Sequence, residues 1–353
     1  MHRLLLTTLT IAALSTVGAA QFLVAIDSSR AISTINPASG AKTTFATATS
    51  NASTTAGLAY DTTTRTMYLT STGNDSLYTL DLATGTATLI GAYGNAALVM
   101  HGLELDSSTG RLYGVSQHDN GLYAIDRNTG AATLIGTSGL GSFTNLGYDS
   151  IANVMYATNS GTDSFYRMDL ATGAATLIGA LTGPTNPNGL AFDSDTTTMY
   201  LVDNSTDNLY TIDLTTGVAT LVGSNGSGNL LGLAYLPRSE GGFARLPHGC
   251  GPTTISTVGL PRIGHTFTVS LGGTTGTPLI GLGINLWGLP YCGCTIGHDW
   301  FLSFATGSLP VAVPNLNSLR GLTLGLQGLD FLGSGGCPSP QLTLTDTIVL
   351  TIG

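Results

Sequence analysis

Along residues 57–224 apolar and polar positions alternate in short runs, interrupted at regular intervals by Asp, Asn, Thr and Gly. The stretch from Gly57 to Gly91, GLAYDTTTRTMYLTSTGNDSLYTLDLATGTATLIG, holds four such runs. The stretches beginning at Gly102, Asn145 and Gly189 hold four each as well. A period of two puts successive side chains on opposite faces, so each run predicts a strand and each Asp- or Gly-rich break a tight turn. Asp61, Asp106, Asp149 and Asp193 mark the same point of the four copies and stand 43 to 45 residues apart. Four short strands repeated at that interval are the pattern of a β-propeller blade.

Two leftover pieces fit together. Gln21 to Gly40, QFLVAIDSSRAISTINPASG, aligns without a gap on Thr66 to Gly85, and AKTTFA follows it, so strands two, three and four of a blade are there without strand one. At residues 232–237, GLAYLP repeats the start of a blade, and the pattern stops at Pro237. The orphan supplies the missing strand. The expectation is an all-β chain with a five-bladed β-propeller over 21–237, its first blade closed by a C-terminal strand so that the join leaves no exposed sheet edge.

After Pro237 the pattern changes. Residues 238–248 read as a linker, and 249–353 carry alternating stretches such as HTFTVSLG and LTLTDTIVLTIG, which predict a small β-sandwich. The composition agrees: 48 glycines, 9% charged residues and a single lysine, Lys42, suit strands and turns rather than charged amphipathic helices. A net charge of −9 speaks against nucleic acid and anionic membrane surfaces as partners.

The first twenty residues read as a signal peptide: His2 and Arg3, then a mostly apolar run to Val17, then Gly18-Ala19-Ala20 as the cleavage region. With no second apolar span, the mature chain is expected to be secreted or held in the cell envelope, without a transmembrane segment. All four cysteines, Cys250, Cys292, Cys294 and Cys337, lie in the last third, which suggests two disulfides in an exported protein. Cys292 and Cys294 are too close to pair easily with each other, and Cys250–Cys294 with Cys292–Cys337 is the pairing we favour over its alternative. Zinc ligation by Cys292, Cys294 and His298 does not match the usual C-x-x-C spacing.

The repeated polar residues have structural roles at hand. The DLATG-type turns (Asp81 to Gly85 and its copies) place an acceptor at the turn start and a glycine where φ is positive. One Asp per turn is too few for calcium. Tyr68, Tyr78 and their counterparts are assigned to packing between blades. Function is sought where one copy departs from the others. Copy two has His101 and Glu104 where the others have small or neutral residues, with His118 and Asp119 in its next loop; Asn188 stands at the His101 position of copy four. In a regular strand, residues three apart face opposite sides, so His101 and Glu104 converge only through a bulge or at the channel rim. In the last third, Trp287, Tyr291 and Trp300 offer a glycan platform, or else a small core beside the disulfides.

The repeat GLAYD…MYLTS…LYTLDLATGTATLIG resembles exported bacterial propellers of the YVTN/NHL-like kind over residues 22–237. The opening GCGPTTISTVGLPRIGHTFTVSL and the ending IVLTIG resemble a C-terminal module of exported planctomycete-type proteins over 249–353. The resemblance implies fold and export, not activity. The expected function is a non-catalytic binding or scaffold protein that presents propeller loops to a protein or glycan. A metal-assisted lyase or hydrolase centred on His101 and Glu104 and a structural envelope component are the alternatives. No cofactor is required by the first reading; the second would use calcium or magnesium.

Overall fold

The structure, a computed structural model, describes residues 22–82, 84–237, 241–246, 248–319, 321–332, 337–338 and 341–353. The expected signal peptide lies outside these residues. Among them no α-helix occurs, and the chain divides into two compact units, one built mainly on residues 21–240 and one on 241–353.

The first unit contains five four-stranded antiparallel sheets, numbered I to V in chain order. Sheets II to V are continuous and begin with the strands Thr55–Asp61, Met100–Asp106, Phe143–Asp149 and Pro187–Asp193. Sheet I joins Phe22–Asp27, Ala31–Ile35 and Lys42–Thr47 to Leu230–Leu236, which pairs with Phe22–Asp27 in the register Val24 to Ala234. These five first strands touch one another in cyclic order, II to III, IV, V, I and back to II. The arrangement is an all-β fold of β-propeller type.

Burial follows position in the sheet. The first strands of sheets II, IV and V are buried along their whole length, while the fourth strands expose Leu89, Leu134, Leu177 and Leu221. All eight repeat tyrosines are buried, and seven of them join clusters that span two sheets: Tyr68 of sheet II joins Leu103, Leu112 and Tyr123 of sheet III in one. Leu23 and Ile35 of sheet I join Tyr200 and Leu209 of sheet V in another. Each such side chain contributes roughly 1.5–3 kcal/mol by leaving water.

The rim is clasped by glycines. A Cβ on Gly91, Gly136, Gly179 or Gly223 would lie 2.0 to 2.1 Å from the carbonyl oxygen of Thr129, Thr172, Thr216 or Ser39, each in a turn of another sheet. The glycine that follows each of those residues, Gly130, Gly173, Gly217 or Gly40, has positive φ and packs back on its partner. The LIG and TG of the repeat are thus two halves of one contact, and Gly223 with Gly40 carries it from sheet V to sheet I. Lys42, the single lysine, donates from Nζ to the Ser227 carbonyl at 2.7 Å across the same join.

The second unit has a six-stranded sheet ordered Gly241–Leu246, Gln341–Ile352, Thr323–Phe331, Thr277–Gly283, Leu302–Phe304, with Cys337–Pro338 paired to Gln341–Ile352. A three-stranded sheet of Thr254–Val258, Thr266–Gly272 and Ser308–Ala312 and a hairpin of Leu286–Tyr291 and Cys294–His298 accompany it. Residues 241–246, expected as linker, are therefore a strand. The alternation in GGFARL, masked in the sequence by the flanking Gly and Pro residues, lets Phe243 bury itself edge-on against Phe267 at 5.5 Å. Cys250 and Cys294 form a disulfide with Cα atoms 5.1 Å apart. The side chain of Cys337 lies outside the described residues.

Candidate functional site

The five first strands leave a cavity of about 120 Å³ at the end of the ring where four of them carry Asp61, Asp106, Asp149 and Asp193. Its walls come from equivalent positions of all five strands: Tyr60, Leu105, Tyr148, Phe192 and Tyr235. Two residues further on come Thr62, Ser107, Ser150, Ser194 and Pro237. Glu104, Ala191 and Ala234 complete the lining. The repeat builds this wall because Tyr60 and its counterparts share one strand face, and turn residues follow each strand end.

Glu104 breaks the symmetry. The other copies carry Ala59, Gly147, Ala191 and Ala234 at its position. On that face of the strand the side chain is directed to the next sheet, as a Cβ on Gly147 would meet Leu190 and Met199 of sheet V. Accordingly, Glu104 reaches sheet IV: Oε2 accepts the Tyr148 N–H at 3.3 Å and Oε1 accepts the Leu105 N–H at 2.8 Å. Part of its surface faces the cavity, but it is deep in the ring. Burial pushes its carboxyl up to about 8, against the two N–H groups that pull the other way.

Below the cavity the ring is crossed. Asn145 stands where four first strands have Gly57, Gly102, Gly189 and Gly232. Those glycines are forced by close approach; a Cβ on Gly232 would lie 2.3 Å from the Ala56 carbonyl oxygen. Asn145 instead donates from Nδ2 to the Leu231 carbonyl at 2.9 Å, linking sheet IV to sheet I past sheet V, and accepts the Leu146 N–H through Oδ1 at 2.9 Å. Sequence reasoning missed this residue, although a single Asn against four Gly at one repeat position was the available signal.

The other expected site residues separate. His101 is the extra residue of a bulge, since the register shifts between Met100 and Gly102, but it is not in the cavity lining. Burial lowers its imidazole below the usual value. His118 is exposed, and Asp119 serves the turn, accepting the Gly121 N–H and the Tyr123 hydroxyl. Asn188 is buried and donates to the Asn186 carbonyl at 3.0 Å. Among the described residues no group of three or more His, Cys, Asp or Glu side chains is placed to hold a metal ion. In the second unit, Tyr291 and Trp300 pack against the disulfide cluster of Cys294, Leu342 and Leu344, and Trp287 is half-buried. Trp300 also stacks on the fully buried His298, whose imidazole burial lowers to about 4.

The chain matches no family model and no curated protein sequence. Solved structures similar to it include a chain of a nidogen/laminin complex, at 16% identity and TM-score 0.45, covering 62% of this chain and 86% of that one. Virginiamycin B lyase of Staphylococcus aureus is 13% identical with TM-score 0.40, over 96% of this chain and 97% of that one. A gluconolactonase of Xanthomonas campestris is 14% identical with TM-score 0.42, over 93% and 94%. Similar chains thus include enzymes and a member of a binding complex. Among the described residues no helix is long and apolar enough to cross a membrane.

Proposed function

We propose that residues 22–237 form a five-bladed propeller that binds a protein or glycan partner at the mouth of its ring. It belongs to an exported protein whose residues 249–353 are a small β-sandwich held by Cys250–Cys294 and Cys292–Cys337. The observation that carries the binding reading is the cavity. Aromatic walls and a hydroxyl-bearing edge together suit a sugar ring or a side chain of a partner. The remaining departures of copy two, His118 and Asp119, are turn or surface residues and add no chemistry to it.

One observation favours a second reading, a hydrolase or lyase. A carboxyl held near 8 keeps its proton at neutral pH, the state a general acid needs. The metal-assisted form of that reading loses support, because His101 and Glu104 do not share the cavity. The test is calorimetric titration of short peptides and of mono- and disaccharides into the native protein and into Ser194→Trp, which places an indole at the cavity edge. Binding lost in the variant supports the first reading, and equal binding overturns it. Turnover of a bound ligand that disappears in Glu104→Gln would establish the second.

A further inference from the structure

We propose that the cavity at the mouth of the ring takes a primary ammonium group, seated against the carboxyl of Glu104 among the side chains of Tyr60, Tyr148, Phe192 and Tyr235. The inference rests on the reading of this cavity as a binding site and names the chemistry of what enters it.

The polar inventory of the lining is one-sided. Among the described residues its polar side chains are a carboxyl, the hydroxyls of Thr62, Ser107, Ser150 and Ser194, and three phenols, with no Lys, Arg or His. A carboxylate has about four lone-pair sites, and here each oxygen receives one backbone N–H, the Tyr148 one at a long 3.3 Å. Half of its acceptor capacity therefore remains for a ligand. An ionised carboxylate this deep is costly without a cation beside it, and among the described residues no side chain of the lining is one. Once the carboxyl is ionised, an ammonium group meets it with a positive charge and three donors, whereas a neutral sugar brings no charge to it.

The walls and the size agree. Aromatic side chains attract a cation, more strongly where water is excluded. The cavity, about 120 Å³, is a little smaller than engineered cavities of about 150 Å³ that hold benzene, so it admits an ammonium group with a short alkyl stem. A divalent metal would want several carboxylates, and among the described residues of the lining Glu104 is the one carboxylate. The chain's net charge of −9 adds a long-range attraction for cations.

Such a group can arrive on a free alkylamine or on a lysine side chain of a partner protein. The probes are n-butylammonium chloride, 1-butanol and Nα-acetyl-lysine methylamide, titrated into the full chain by calorimetry at pH 6 and pH 8.5. Both amines stay protonated at both pH values. Among the described residues the titratable groups facing Glu104 in the cavity are Tyr60, Tyr148 and Tyr235; Asp106 and Asp149 act on Tyr148, and Asp193 and Asp195 act on Tyr235.

Saturable binding of butylammonium is expected, at least about tenfold tighter than that of butanol. It should weaken about tenfold or more from pH 8.5 to pH 6, because ligand binding competes with the proton on Glu104. Glu104→Gln keeps the shape of the side chain and should lose about tenfold in affinity with its thermal transition intact. Tighter binding of the lysine derivative than of butylammonium assigns the group to a partner protein, and equal binding assigns it to a free amine; either supports the proposal. Equal affinity for butanol and butylammonium, or unchanged affinity in Glu104→Gln, overturns it. A sugar or peptide that binds the native protein but not Ser194→Trp, with butylammonium silent, overturns the ammonium inference and leaves the cavity reading standing. Ligands of every kind binding Ser194→Trp as well as the native protein would overturn both.

Discussion

Asp106 and Glu104 lie two residues apart on one strand, and their carboxyl groups end in opposite states. Asp106 points into the turn at the strand end, where the N–H and hydroxyl groups of Ser108 and Thr109 converge on it at 2.6 to 3.3 Å. Burial opposes ionisation there, yet these hydrogen bonds, with one from Tyr148, hold Asp106 down to about 2. Glu104 receives two N–H groups and sits in the ring, and burial takes it to about 8. The rim turns extend the series, since Asp126, Asp169 and Asp213 are lowered first by backbone N–H or threonine hydroxyl bonds in open solvent. A repeat aspartate is an architectural acceptor because its turn brings donors to it. Glu104 has no such turn, and its site is short of donors.

The state of Glu104 requires the ring to be closed, and the largest effect should come from the join. Replacing Leu230–Leu236 by a Gly/Ser linker removes the first strand of sheet I and exposes the edge of Phe22–Asp27. The propeller should lose its cooperative thermal transition; an unchanged melting profile would refute closure. Next comes Glu104→Gln. Because the folded pKa is raised, the native protein loses stability as pH climbs from the unfolded value near 4.5 through about 8, and the variant does not. Denaturant unfolding at pH 8.5 should show the variant more stable by on the order of 3–4 kcal/mol, and at pH 4 the two should be alike.

Asp106→Asn tests the other side with opposite sign. A depressed pKa contributes stability above the unfolded value near 3.8 that is lost as pH falls through about 2. The variant should be less stable by about 2 kcal/mol at pH 7, with the gap closing in acid. The smallest effect is expected for Lys42→Met at the rim of the join. Its exposed bond to the Ser227 carbonyl should cost less than about 1 kcal/mol, read as a small fall in denaturation midpoint.

Much of the rim was legible because its causes are local. The Asp–Thr–Gly turns and the alternation in TMYLTS depend on neighbours within a few residues, and the eight tyrosines fall at fixed places in that alternation. The candidate site was half legible. Glu104 stood out against Ala59, Gly147, Ala191 and Ala234, but His101 drew equal attention although it lies on a bulge and lines no part of the cavity. Asn145 drew none, because its partner Leu231 is 86 residues away, on a sheet that is not its neighbour.

What the sequence determined by itself was the set of four-stranded sheets and the pairing of Leu230–Leu236 with Phe22–Asp27, since a period of two and a missing strand can be read from order alone. Tertiary structure decided the chemistry. Packing sheet IV beside sheet III puts the Tyr148 N–H on Glu104, and closing the ring buries that carboxyl enough to raise it above an ordinary acid. Desolvation depends on what surrounds a group from every side, and those surroundings come from strands that only the fold brings together.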